Sequence, residues 1–201
     1  MPPHRMHLTT LEISHSKTPS QISDLVSPLR PHAAKLADYT LTHRTRLVNP
    51  LVTYDSFGVA LSFLPAAGEP VLSPASSTAG SRVNDQEVVG GDGYTYHHLR
   101  HELSSALADA GVSVEARYQV PSAHITLARY LSCQDHETPA QRESWVHAIQ
   151  NLNSWLEQQT WGVTNGDFIG EWIVGQERGL DLRCGTVWYG GGRSIITGEG
   201  F

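Results

Sequence analysis

The chain has 201 residues, a hydrophobic content of 39% and a formal net charge of -6 at pH 7, which fits one packed domain better than two. The acidic balance argues against a protein that follows long nucleic acids by neutralising phosphates, because such proteins carry a basic face. No apolar run approaches 18 residues, and residues 1–10 contain no apolar signal region. We therefore expect a monomeric, cytoplasmic or nuclear, non-secreted protein with small partners and without membrane or long duplex partners.

The chain contains both helical and strand patterns, and we expect an α+β fold. The strongest signals are the Thr18-Pro19 helix start with Gln21 three residues after the cap, and the apolar face of a helix that ends before Gly111. In the first third of the chain we predict a strand at Met6–Ile13, helices at 16–26 and His32–Tyr39, and strands at Thr42–Val48 and Phe57–Leu64 around an interruption at Pro50. A flexible insertion at about 65–93 follows, and then a helix at Tyr94–Ala110 and strands at Val112–Val120 and Ala123–Tyr130. The last part has a helix at Thr138–Gln159 and strands at Asp167–Val174 and Leu180–Tyr189 before a GGGRS turn.

Two short stretches share a histidine followed two places later by a threonine inside a strand-like apolar run. They are MHLTTLEI, with His7 and Thr9, and AHITLARY, with His124 and Thr126. Composition alone predicts about one such triplet, and the other two in the chain, at His43 and His136, lack a strand-like setting. Residues i and i+2 of a strand point to one face, so each stretch presents an imidazole beside a hydroxyl.

This pairing suits displacement at a phosphodiester. The reaction needs a base on the attacking oxygen, an acid on the departing oxygen and hydrogen-bond donors for the non-bridging oxygens. Histidine serves as base or acid near neutral pH, and threonine donates a neutral hydrogen bond. The scheme requires no metal and no cofactor, so we predict neither.

HLTT at His7 and HITLAR at His124 resemble the paired signatures of the 2H phosphoesterase superfamily, which includes cyclic nucleotide phosphodiesterases and the so-called 2′-5′ RNA ligases. Together with YTYHHLR and VPSAHITLARY, they are similar to a fungal branch of that superfamily. The resemblance covers most of the chain. It implies one bilobal, pseudo-symmetric domain over residues 1–201, with antiparallel sheets lining a central cleft and helices outside.

The resemblance further implies a phosphoric diester hydrolase acting on 2′,3′-cyclic phosphate nucleotides or short RNA ends. His7 and His124 would be the catalytic residues, and Thr9, Thr126 and Arg129 would bind the substrate. Strict alternation puts Arg129 on the back of its strand, whereas the resemblance places it near the substrate. A bulge or strand end after Leu127 would reconcile these two positions. Two alternatives stay open, a catalytically inactive nucleotide-binding module and a 2′-5′ RNA ligase.

Members of the superfamily usually carry a strand and a helix before the first motif, whereas six residues precede His7. We therefore expect an internal start, a truncated gene model or a genuine shortening.

Other polar residue pairs have both a functional and an ordinary structural interpretation. Arg44 and Arg46 share a strand face and attract phosphate or simply face solvent, and His97 and His101 are spaced for a metal without a third ligand cluster. Candidate base-stacking residues are Tyr54, Phe57, Tyr94 and Trp188.

Overall fold

The computed structural model describes residues 1–72, 88–115, 122–163, 166–187 and 190–201. It confirms a mixed α+β architecture with a curled antiparallel sheet and helices. The helices are α1 (Pro19–Leu29), α2 (Ala33–Ala37), α3 (Tyr96–Asp109) and α4 (Pro139–Thr160), and the strands are β1 (Thr45–Tyr54), β2 (Gly58–Pro65), β3 (Ala123–Arg129), β4 (Glu171–Val174), β5 (Arg178–Cys184) and β6 (Arg193–Glu199). Short 3-10 turns lie at Pro3–Arg5, Arg30–His32, Tyr39–Leu41 and Gln134–His136.

The strands form two sheets, one of four strands in the order β3-β2-β1-β4 and one hairpin of β5 and β6, and every pairing between them is antiparallel. Strand β6 was missed by the sequence analysis, which ended the fold at a GGGRS turn. Its sequence, RSIITGE, alternates weakly, and glycines before and after it read as loop.

Two helices begin with threonine caps, of which the one at Thr18 was predicted. Thr18 accepts a hydrogen bond from the Gln21 amide, and Thr138 does the same for Gln141, each with proline at the first helical position. Both caps are reciprocal, because the glutamine side chain in turn accepts from the threonine amide. The predicted helices at 16–26 and Thr138–Gln159 are therefore confirmed within a few residues.

Strand β1 continues through Pro50, where an interruption was predicted. Pairing with β2 shifts register between Val48 and Leu51, and Asn49 adopts a φ of 53°. A bulge accommodates proline because the local ladder already lacks one hydrogen bond there. The prediction failed because it treated proline as a break and not as a bulge residue.

The predicted first-motif strand, Met6–Ile13, is wrong as a regular strand. Within it Leu8 alone forms an antiparallel bridge, to Ile125 of β3. Five residues later the carbonyl of Ile13 accepts from the Glu115 amide beyond the end of α3. The segment thus changes partners after one bridge, which prevents a continuous ladder with β3.

Two apolar clusters support the sheet. The larger one joins α3 to the first and last parts of the sheet, and its fully buried members are Leu47, Tyr96 and Leu99. Leu8, Leu11 and Ile13 of the first-motif segment pack against this cluster. The smaller cluster lies between α4 and the middle of the sheet and is centred on Val52, Val59 and Ile149. Burial of Leu8 thus anchors the first motif where backbone pairing does not.

The region predicted as an insertion at about 65–93 begins inside β2, and residues 73–87 lie outside the described residues. Arg46 binds both ends of this region, donating to the Glu69 carbonyl at 2.7 Å and pairing with Asp92 at 3.0 Å. Of the predicted strand Val112–Val120, residues 112–115 are not a strand and the remainder falls outside the described residues, as does Trp188. None of the described helices has the length and apolarity needed to cross a membrane.

Candidate functional site

The second motif lies on β3 with regular strand geometry. His124 is partly buried, and its Nδ1 lies 3.0 Å from the Ser122 hydroxyl oxygen. Ser62 of β2 pairs with His124, and Ala60 pairs with Thr126. Since side chains alternate along a strand, this histidine and threonine share the face that carries Ala60 and Ser62.

That face continues onto β1 as a polar surface. Thr53 pairs with Ala60, and its hydroxyl lies 2.6 Å from that of Ser62. Thr53 is exposed and Ser62 partly buried, so neither hydroxyl is sealed in the core. The reverse face carries Leu61 and Leu127, which pack on the smaller apolar cluster. We call the surface formed by Thr53, Ser62, His124 and Thr126 the polar face of the sheet.

The first motif joins this surface through its single bridge. In an antiparallel pair the neighbours of two bridged residues also lie side by side. The bridge from Leu8 to Ile125 therefore puts Thr9 beside the second-motif histidine and His7 beside the second-motif threonine. Leu8 faces the apolar cluster, so His7 and Thr9 point the other way, and both are exposed. The four motif side chains thus fall on one face.

A hydrogen bond of His7 shows which of its ring nitrogens carries the hydrogen. Its Nδ1 lies 2.9 Å from the carbonyl oxygen of Arg5. A carbonyl oxygen only accepts, so Nδ1 of His7 carries the hydrogen and Nε2 is the nitrogen that remains for a ligand.

Arg129 reaches the polar face through a bulge. The register between β2 and β3 shifts between Val59 and Ala60, which leaves Leu127 as an extra residue in β3. After this shift Arg129 pairs with Gly58, and Gly58 shares its face with Ala60. The β3 strand therefore contains the bulge that moves Arg129 from the back face to the face of the second-motif histidine. Arg129 is exposed at the end of β3.

The electrostatics around His124 favour its neutral form. Burial lowers its pKa below the ordinary 6.5, and the positive charges of Arg100 and Arg129 act in the same direction. A hydrogen bond to Ser122 and the negative charge of Asp55 oppose this shift without reversing it. Two arginines and one aspartate thus lie within electrostatic reach of His124, and burial remains the largest cause of its lowered pKa.

Two residues of α3 belong to this region and were not assigned by the sequence analysis. The hydroxyl of Tyr96, whose side chain is fully buried, donates to the carbonyl oxygen of Thr9 at 2.9 Å. Arg100, one turn later, lies with its guanidinium carbon 5.9 Å from the centre of the Tyr96 ring. The segment YTYHHLR contains both, and the helical i, i+4 spacing of its second tyrosine and its arginine was the available signal.

The other candidate phosphate-binding arginines are engaged elsewhere. Arg46 forms ion pairs with Asp92 and with the fully buried carboxylate of Glu171. Arg44 lies 3.9 Å from the centre of the Phe201 ring. The two side chains thus have different partners, Arg46 two carboxylates and Arg44 a ring, and phosphate attraction by either stays a prediction.

Several other histidines and aromatic residues considered in the sequence analysis lie away from the polar face or contact neighbouring rings. His43 stacks on Tyr39, and His136 contacts the rings of Tyr130 and Trp145. Tyr94 is buried and donates to Glu102. His97 and His101 are exposed on α3, Tyr54 is exposed beside Trp145, and Phe57 is 69% exposed at the β1–β2 turn.

Comparisons with protein-family models, with curated proteins and with solved structures find no significant match for this chain. The chemistry of the polar face therefore has to be argued from its own residues. Two imidazoles, two threonine hydroxyls and cationic side chains suit an anionic substrate that exchanges protons.

Proposed function

We propose that the protein is a metal-independent phosphodiesterase that opens 2′,3′-cyclic phosphates on nucleotides or on short RNA ends. The observation that carries this proposal is the Leu8–Ile125 bridge, because it supports a common face for two histidine-threonine pairs that are 117 residues apart in sequence. A common face is the requirement for two imidazoles to act on one phosphorus atom.

The environments of the two histidines support different roles. The neutral form of His124, favoured by its lowered pKa, suits a general base. The Nδ1 of His7 donates to a carbonyl, which leaves its Nε2 for the substrate. A protonated Nε2 can then act as the general acid. Water loses a proton to His124 as its oxygen attacks phosphorus, the bond from phosphorus to one ribose oxygen breaks, and His7 donates its proton to that oxygen.

The threonines and Arg129 complete the scheme. Thr9 and Thr126 donate hydroxyl hydrogens to non-bridging phosphoryl oxygens, and Arg129 adds charge at the end of β3. Negative charge on these oxygens grows as the water oxygen attacks. Fixed donors then stabilise the transition state more than the ground state.

The proposal includes a two-lobed, pseudo-symmetric architecture. Each motif precedes a capped helix, α1 after the first and α4 after the second, which supports a pseudo-symmetric, two-lobed arrangement around the polar face. The first lobe is the less regular, because its motif segment has one bridge in place of a strand. A small cyclic phosphate or RNA end fits this open face better than a long duplex does, given the acidic net charge.

The test is turnover of 2′,3′-cyclic AMP and 2′,3′-cyclic CMP by the purified chain in buffer with and without EDTA. We expect turnover that EDTA does not reduce, and losses on the order of a hundredfold or more for His7→Ala and for His124→Ala. His147→Ala, which changes an exposed histidine on α4, is the matched control and keeps wild-type turnover. Wild-type turnover in His124→Ala would falsify the assignment.

A second candidate has its own observation in its favour. The first motif is exposed and is held by one bridge, so its histidine lacks the rigid support that catalysis needs. A nucleotide-binding module without catalysis would bind a 2′-phosphorylated or 3′-phosphorylated nucleotide and leave cyclic phosphates intact. Binding of such nucleotides by calorimetry, together with an absence of turnover, distinguishes this candidate from the enzyme.

A further inference from the structure

Arg100 lies one helical turn after Tyr96, the residue of α3 that is attached to the first motif. The helix is attached to the first motif through the bond from the Tyr96 hydroxyl to the Thr9 carbonyl. Arg100 follows Tyr96 by one helical turn, so both side chains leave the same side of α3, and its guanidinium carbon lies 5.9 Å from the centre of the Tyr96 ring. The charge of Arg100 also acts on His124 of the second motif. Arg100 therefore lies beside the attachment point of the first motif and within electrostatic reach of the second-motif histidine.

Its charge is not neutralised by the described part of the chain. Arg46, by contrast, pairs with Asp92 and Glu171, and Arg183 lies 3.7 Å from Asp181. No carboxylate among the described residues lies within ion-pair distance of Arg100. Arg100 is partly buried. A guanidinium in such a setting, near histidines and threonines and without an acidic partner, is typical of a site completed by an anion.

The surrounding helix favours the same ligand charge. Arg100 lies early in α3, and the first turn of that helix contains no acidic residue. The N-terminal end of a helix carries partial positive charge, which stabilises an anion held next to it. Arg100 is the fifth residue of α3, beyond the first turn to which this effect is confined, so the guanidinium itself supplies the main charge and the directed hydrogen bonds.

We propose that Arg100 binds a non-bridging oxygen of the phosphate group, from α3, while Arg129 approaches from the end of β3. The inference rests on the proposed function and deepens it, because it assigns the residue that recognises the phosphate charge and leaves proton transfer to the histidines. It also explains the location of Tyr96, a positioning residue that fixes Thr9 and supports the guanidinium at the same time.

The experiment is a titration of the protein with inorganic phosphate, followed through the imidazole resonances of His124 by NMR. We expect saturable shifts in the wild type and a dissociation constant about tenfold or more higher in Arg100→Met. Arg100→Lys, which keeps a charge but loses the forked geometry, falls between them. Arg30→Met removes an exposed guanidinium after α1 and keeps the wild-type constant.

The titration separates this inference from the proposed function because it needs no turnover. A wild-type dissociation constant in Arg100→Met overturns the inference even if the enzyme is active. A weakened constant in that variant supports it even if cyclic phosphates are not hydrolysed. Failure of the wild type to bind phosphate overturns it as well. In Arg100→Met the titration midpoint of His124 also rises, since the charge that lowers its pKa is lost, and an unchanged midpoint contradicts the placement.

Discussion

His7 and His124 have matching positions in two copies of one motif, but the protein supports them differently. Around His124 the backbone pairs along most of β3, and the side chain is partly buried. Around His7 a single bridge, the apolar packing of Leu8, Leu11 and Ile13, and one tyrosine hydroxyl hold a segment whose motif side chains are exposed. The difference teaches that equal sequence signals do not imply equal rigidity. A site built from both motifs is limited by the weaker of them.

Amide exchange gives the largest expected contrast between the two segments. The amides of β3 that bond to β2 should exchange on the order of a hundredfold more slowly than the amides of residues 6–13, because ladder bonds open only with larger parts of the fold. The measurement is hydrogen–deuterium exchange resolved by NMR. Equal protection of the two segments would show that residues 6–13 form a regular strand on β3 in solution.

Breaking the better supported segment should cost stability. A Cβ at Gly58 would lie 2.3 Å from the carbonyl oxygen of Ala128, so Gly58→Ala pushes the end of β3 away at the bulge. We expect a loss of about 1–3 kcal/mol in the free energy of unfolding, measured with denaturant. Phosphate binding should also weaken, because Arg129 pairs with Gly58.

Gly93→Ala is the matched control for this change. A Cβ at Gly93 meets no atom within 4 Å, and its φ does not require glycine. The control should therefore keep wild-type stability. Equal stability of Gly58→Ala and Gly93→Ala would mean that the β2–β3 contact at the bulge is looser than the structure has it.

These contrasts also explain how far the sequence predicts the fold and the site. The second-motif strand and the helices α1 and α4 followed from local rules, because hydrophobic alternation and helix periodicity act over a few residues. The bulge near Leu127 did not follow from such rules, since it was named only to reconcile alternation with the family resemblance. The irregular first motif did not, since its pairing depends on where Glu115 lies beyond α3. Arg100 was missed for the same reason, because its relation to His124 arises only when α3 packs on the sheet.

Loosening the weaker segment should have a smaller and more local effect. Tyr96→Phe removes the hydroxyl that donates to Thr9 and leaves a carbonyl unpaired, at a cost of about 1 kcal/mol. We expect faster amide exchange in residues 6–13, unchanged exchange in β3, and a several-fold lower kcat/KM. The selective change in the first segment is what identifies Tyr96 as a positioning residue.

Tyr94→Phe is the control, because it also removes a buried tyrosine hydroxyl near the start of α3. That hydroxyl donates to Glu102 at 2.6 Å and not to a motif residue. The control should lose similar stability and keep the wild-type exchange of residues 6–13. If both variants loosen the first motif equally, Tyr96 acts through general stability alone.

The smallest expected effect concerns the protonation of the better supported histidine. Burial lowers the pKa of His124 below 6.5, so the unfolded chain binds this proton at a higher pH than the folded one. As pH falls below 6.5, unfolding takes up a proton at this position, and the folded state loses stability until the pH passes the folded pKa. The contribution is fully present above 6.5.

His124→Gln removes this contribution, so the free energy of unfolding should fall less steeply between pH 6.5 and the folded pKa than in the wild type. The control, His147→Gln, changes an exposed histidine and should keep the wild-type slope. If His124 is the base, the acidic limb of the kcat/KM profile should follow the midpoint of the imidazole measured by NMR. If the alkaline limb follows this midpoint instead, His124 is the acid and the base role passes to the other motif; a profile in which neither limb follows it contradicts both roles.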